Sequence, residues 1–143
     1  MASNVAGQKL IVANQVAEKV AEIHPGKKIA FLVYEDTWDP PQEAIKPHEN
    51  LIGVICSANV NGKKWMEQIK SKTGSHRDAV DYRRGAQAWA SLLSESWSYD
   101  YYGWFPGPYT MFRKLVRETE WQERAGIDGC ASEFMNRDRK SVV

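Results

Sequence analysis

Two uninterrupted apolar runs constrain this chain most. Residues 28–35 read K-I-A-F-L-V-Y-E and residues 51–58 read L-I-G-V-I-C-S-A. Neither alternates polar with apolar. The first is therefore expected to be a strand covered on both faces, and the second to be another apolar strand. A helix over 8–23 precedes them: Val12, Val16, Val20 and Ile23 recur at helical spacing, with Ala13, Ala17 and Ala21 beside them. His24-Pro25-Gly26 stops that helix. Between the runs, Asp36 to Asn50 is a loop with three prolines, Pro40, Pro41 and Pro47. Its length points to a functional or moving loop.

Beyond the second run the signals turn helical. Lys63 to Lys72 carries Trp65 and Ile69 four apart, and Thr73-Gly74 ends it. Ser75 is an N-cap with Asp78 near the positive end of the next helix. There Tyr82, Ala86, Trp89, Leu93 and Trp97 fall on one stripe. Gly85 interrupts it at a cost of roughly 1 kcal/mol against Ala. Either the helix starts later, or another part of the chain approaches the backbone closely at this point.

Residues 98–105 form a strand or an aromatic loop. A last helix over 108–124 opens on Pro108, buries Phe112, Leu115 and Val116, and ends at Gly126 as its C′ residue. Residues 127–143 are polar and are expected to fray. The fold expectation is α+β: a single compact domain over 1–126, with helices packed on a short central sheet.

Bulk properties narrow the function classes. The chain has 143 residues, enough for one ordinary domain. Its net charge of +1 supplies no global field for nucleic acid or acidic membranes. Two cysteines without CxxC spacing indicate neither a disulfide scaffold nor a zinc site. With no run of 18 apolar residues and no basic-then-apolar leader, the expectation is a cytoplasmic protein without a membrane span.

Several constellations remain. Glu35, Asp36 and Asp39 follow the first strand, where carboxylates that bind Mg²⁺ often lie. The second strand carries no Glu-x-Lys to complete such a site, so no metal is expected. Cys56 sits inside an apolar run and reads as an inert thiol. Residues 63–84 hold seven Lys or Arg against three Asp or Glu. In a helix pair joined by a short turn, Lys63, Lys64 and Arg77 would reach phosphates of a nucleic acid, unless they simply form a solvated face. Strand alternation over 97–105 separates Trp97, Tyr99, Tyr101, Gly103 and Phe105 from Ser98, Asp100, Tyr102 and Trp104. With one set in the core, Tyr102 and Trp104 are left to anchor a protein partner, a ligand or a second copy in a homo-oligomer.

The segment 81–93, D-Y-R-R-G-A-Q-A-W-A-S-L-L, resembles the phosphate cradle of the GCN5-related N-acetyltransferases. The resemblance extends over residues 51–116. It takes in the glycine-containing L-I-G-V-I run and the T-M-F-R-K-L-V segment, similar to that family's last helix. It implies acyl-CoA as cofactor, with Arg83, Arg84, Gly85, Ala86, Gln87 and Ala88 holding the pyrophosphate at a helix start. Glu35 or Asp36 would then be the base for an amine acceptor. The family's usual tyrosine acid falls at Phe112, which leaves Tyr109 as the substitute. The competing expectation is a non-enzymatic module that binds nucleic acid through 63–84 or a protein through 97–109.

Overall fold

A computed structural model of the chain describes residues 5–56, 79–100 and 108–132. The described elements are helix α1 (Val5–Ile23), strand β1 (Ile29–Val33), a 3-10 turn (Glu35–Thr37), β2 (Leu51–Cys56), α2 (Ala79–Leu92), β3 (Glu95–Asp100), α3 (Pro108–Arg124) and β4 (Gly129–Ser132). They form a single small α+β domain. Its four strands pair in the order β1-β2-β3-β4, each parallel to the next.

Pairing register divides the sheet into two faces. Phe31, Val33, Leu51, Gly53, Ile55, Ser96, Ser98 and Asp100 share one face and are all buried. All three described helices attach to this face. α1 adds Ala6, Leu10 and Ala17 to the core. From α2, Trp89 packs on Phe31 at 5.3 Å between ring centroids. From α3, Gln122 reaches Asp100. The other face carries Ala30, Leu32, Ile52, Val54, Trp97, Tyr99, Gly129 and Ala131. No described helix covers it; Leu32 is 53% exposed and Trp97 40%.

The β1–β2 connection contains no described α-helix, and Trp38 fills the space. Its ring stacks on Tyr82 at 4.7 Å. The Trp89 indole N–H points at the carbonyls of Thr37 and Trp38, 3.0 Å from each. Thr37 Oγ1 accepts the Tyr34 N–H at 2.8 Å, which holds the 3-10 turn. Asn14 clamps the far end of the loop: it donates to the Lys46 carbonyl and accepts the His48 N–H.

Several sequence expectations need correction. In α1 the inward face is Ala6, Leu10 and Ala17, while Val12, Val16 and Ile23 are exposed. The helix has two apolar stripes, and the one with small side chains lies against the sheet. In α3, Leu115 and Val116 are 37% and 56% exposed, and Glu118 and Gln122 are buried instead. The Phe112 side chain lies outside the description. Trp97 belongs to β3 and not to the helix stripe, because α2 ends at Leu92. Residues 129–132 are a sheet strand and not the start of a frayed tail. The helix expected over 63–72 and the Ser75 cap lie outside the described residues.

Two expectations about glycine are met. Gly126 takes φ +79° and donates to the Glu123 carbonyl, closing α3. Gly85 is a point of close approach: a Cβ there would lie 2.6 Å from Trp38 Nε1.

Candidate functional site at the C-terminal edge of the sheet

Because every described strand is parallel, all four C-termini gather at one edge of the sheet. In open parallel sheets and in barrels alike, ligands bind at this edge. β1 delivers Glu35 and Asp36 there, β2 ends on Cys56, β3 on Asp100 and β4 on Ser132.

Asp100 is the best-built group of the set, only 1% exposed. Ser98 Oγ donates to its Oδ2 at 3.0 Å, and Gln122 Nε2 donates to the same oxygen at 3.1 Å. These bonds fix one carboxylate between a strand and a helix and replace part of its lost hydration. Glu118, one helical turn before Gln122, is 4% exposed. The Tyr82 hydroxyl is buried and has no hydrogen-bond partner among the described residues. Burial pushes the Tyr82 phenol well above its ordinary pKa, and the negative charges of Asp100 and Glu118 push it further. Tyr82 therefore stays protonated across the physiological range, a donor in a pocket of acceptors.

Cys56 stands beside this cluster as a buried free thiol. Burial, aided by the charge of Asp100, pushes its pKa up to about 11. A thiol held that high is neutral at physiological pH and is not a nucleophile. Cys56 is buried, as its place in an apolar run predicts.

Of the residues singled out in the sequence, only some are described. Asp36 pairs with Lys9 of α1 at 2.8 Å, so it serves as an exposed tie between helix and loop. Glu35 lies in the 3-10 turn and Tyr109 in the first turn of α3. The side chains of both are outside the description, as are Lys63, Lys64, Arg77, Tyr102 and Trp104 altogether.

Arg83, Arg84, Gly85, Ala86, Gln87 and Ala88 all lie inside α2, at least four residues after Ala79. In an α-helix, amides from the fifth position onward bond to the preceding turn. Their N–H groups are therefore not open at a helix head, and the expected cradle loses its donors. Arg83 instead lies over the Trp121 ring at 5.9 Å. Ala86 is fully buried. Ala79 to Tyr82 are helical, so no strand leads directly into Arg83.

Sequence reasoning missed Asp100, Ser98, Glu118 and Gln122. The signal was present: Ser96, Ser98 and Asp100 alternate through β3, and Glu118 and Gln122 stand four apart on α3. Polar residues at strand alternation and helical repeat mark one face each, but the Ser98 and Asp100 face reads as the partner-facing side of the aromatic block, and Glu118 and Gln122 are not assigned.

A groove of about 720 Å³ lies at the opposite end of the strands, where the β1–β2 connection carries no helix. Ile11, Asn14, Lys46, His48, Leu92 and Leu93 line it. Among the described residues no group of three His, Cys, Asp or Glu is placed to hold a metal ion. None of the described helices is long and apolar enough to cross a membrane.

No curated protein and no solved structure matches the chain. A family model does match, over residues 1–138. It is not an N-acetyltransferase model, so the family resemblance read from residues 51–116 is overturned. The chain belongs to the family described as a domain of unknown function, DUF4838.

Proposed function

We propose that the protein binds a small, uncharged, hydroxyl-rich ligand at the C-terminal edge of its sheet and acts on it through carboxylate acid–base chemistry. The observation that carries this reading is the buried Asp100 carboxylate, held by Ser98 and Gln122 beside the Tyr82 hydroxyl, which has no partner among the described residues. Carboxylates accept bonds from ligand hydroxyls and exchange protons with them. A buried phenol that stays protonated supplies a matching donor. Tyr99, half-buried, directly precedes Asp100 and lies on the opposite face of β3. A phosphate-bearing carrier such as acyl-CoA fits poorly here, because Asp100 and Glu118 would repel it.

The test is a titration of the ¹⁵N-labelled chain with a panel of neutral mono- and oligosaccharides, with acetyl-CoA as the anionic comparison. The Cys56 and Asp100 amides are expected to shift with a saccharide and to stay still with acetyl-CoA. Asp100→Asn, which keeps the shape and removes the charge, should abolish the saccharide shifts. Acetyl-CoA shifts centred on Arg84 to Gln87, with none at Cys56 and Asp100, would refute the reading.

A further inference from the structure

One end of the β1–β2 connection is built around an imidazole. The Asn50 N–H donates to His48 Nδ1 at 3.1 Å. The ring thus does what an asparagine or aspartate side chain does when it accepts the N–H two residues on and closes a turn. The backbone around it is tied on several sides. Leu51 N–H donates to the His48 carbonyl and Ile29 N–H to the Asn50 carbonyl, so the turn leads straight into the β1–β2 pairing. Asn14 of α1 accepts the His48 N–H at 2.8 Å and donates to the Lys46 carbonyl at 2.9 Å. Ser94 Oγ donates to the Glu49 carbonyl at 3.1 Å. Lys46, Pro47, His48 and Glu49, held in this way, line one part of the groove at this end of the strands.

The other bonds in this network join amides, carbonyls and a hydroxyl, which do not titrate. The bond to His48 differs. A neutral imidazole has one nitrogen that accepts, and an imidazolium has two that donate. The Asn50 bond therefore requires a neutral ring with its proton on Nε2. Once Nδ1 is protonated, two N–H groups face each other, and turning the ring over brings no acceptor into place.

We infer that His48 is a pH-sensitive latch. Neutral, it closes the turn over residues 46–50; protonated, it releases the Asn50 N–H and loosens the groove wall that the turn forms. The stabilising bond is present on the alkaline side of the ring's titration and is lost as the pH falls. Among the described residues, the charges around this turn are Glu18 of α1 and Lys46 and Glu49 of the loop, all lining the same groove. Lys28 and Glu95, at the starts of β1 and β3, pair with each other. Carboxylates ordinarily titrate near pH ~4, amines near ~10 and imidazole near ~6.5. Of these groups, then, the ring is the one that changes charge just below neutral pH. The latch lies at the opposite end of the strands from Asp100, so its failure would leave the ligand reading untouched.

Amide hydrogen exchange in the ¹⁵N-labelled full chain, normalised to each amide's intrinsic rate, tests this. Between about pH 7.5 and about pH 5.5, protection of the Asn50 N–H is expected to fall about 10-fold, the worth of one hydrogen bond, in step with the His48 ring. At the higher pH the ring should be the Nε2–H tautomer. His48→Asn supplies a side-chain carbonyl that closes the same turn and does not titrate, so protection should persist at both pH values. His48→Phe supplies no acceptor, so protection should be low at both. Equal wild-type protection at the two pH values, a fall on acidification in either variant, or a His48→Phe chain as protected as the neutral wild type overturns the inference.

Discussion

Trp89→Ala should unfold most of the chain at room temperature, or bring it to the brink. Trp89 is fully buried at the junction of α2, β1 and the β1–β2 connection. Truncating a buried tryptophan costs about 3–5 kcal/mol in lost contacts and residual cavity. Its indole N–H also serves the carbonyls of Thr37 and Trp38. Leaving a buried acceptor without a donor adds roughly 1–3 kcal/mol. Domains of this size hold about 5–15 kcal/mol in total, so a combined loss of about 4–8 kcal/mol exceeds or nearly exhausts the stability if the chain sits in the lower half of that range. Trp89→Phe keeps most of the ring and loses the bond, at a cost of about 1–2 kcal/mol. Urea denaturation followed by circular dichroism separates the two variants. A Trp89→Phe midpoint equal to that of the wild type would mean that the indole N–H contributes nothing.

Gly85→Ala should destabilise the protein even though alanine is the better helix former. Propensity alone favours the substitution by about 1 kcal/mol. The new methyl, however, would stand 2.6 Å from Trp38 Nε1 and 3.1 Å from Cε2. Trp38 has little room to yield, being 5% exposed and stacked on Tyr82. Overpacking of this kind costs about 1–3 kcal/mol; a contact this short lies at the upper end, leaving a net loss of about 2 kcal/mol. Trp38→Leu removes the clash. In that background Gly85→Ala should turn neutral or stabilising, a coupling that a double-mutant cycle in thermal denaturation reads directly. Additive losses would show that Gly85 is constrained by something other than Trp38.

These two residues also show what the sequence made legible. The Tyr82, Ala86, Trp89, Leu93 stripe is buried as its spacing indicates, and of the two readings open for Gly85, a later helix start or a close approach, the structure selects the second. The span of α3 and its Gly126 stop were equally plain, since proline and glycine punctuate both ends. What failed was the choice between faces. α1 carries two apolar stripes, and periodicity cannot say which one meets the sheet. Trp97 follows Leu93 by four residues and so mimics a helix continuing past its end. β4 is four small residues, G-C-A-S, whose strand character comes only from pairing with β3. The Asp100 cluster was obscure because its burial depends on α3 turning Gln122 and Glu118 inward, a tertiary fact that no local pattern holds.

The central claim is a four-stranded parallel sheet, in chain order, with its described helices on one face, and β4 is the strand its sequence announces least. The most direct measurement is the proton chemical shift of the Gly129 Hα atoms, with NOEs from them to the Trp97 ring. The expected result is strong NOEs and an upfield shift, because the indole lies flat over Gly129. A Gly129 at random-coil shift with no NOE to Trp97 would mean that residues 127 onward are a loose tail. The ordered sheet and the open face built on it would then fall together.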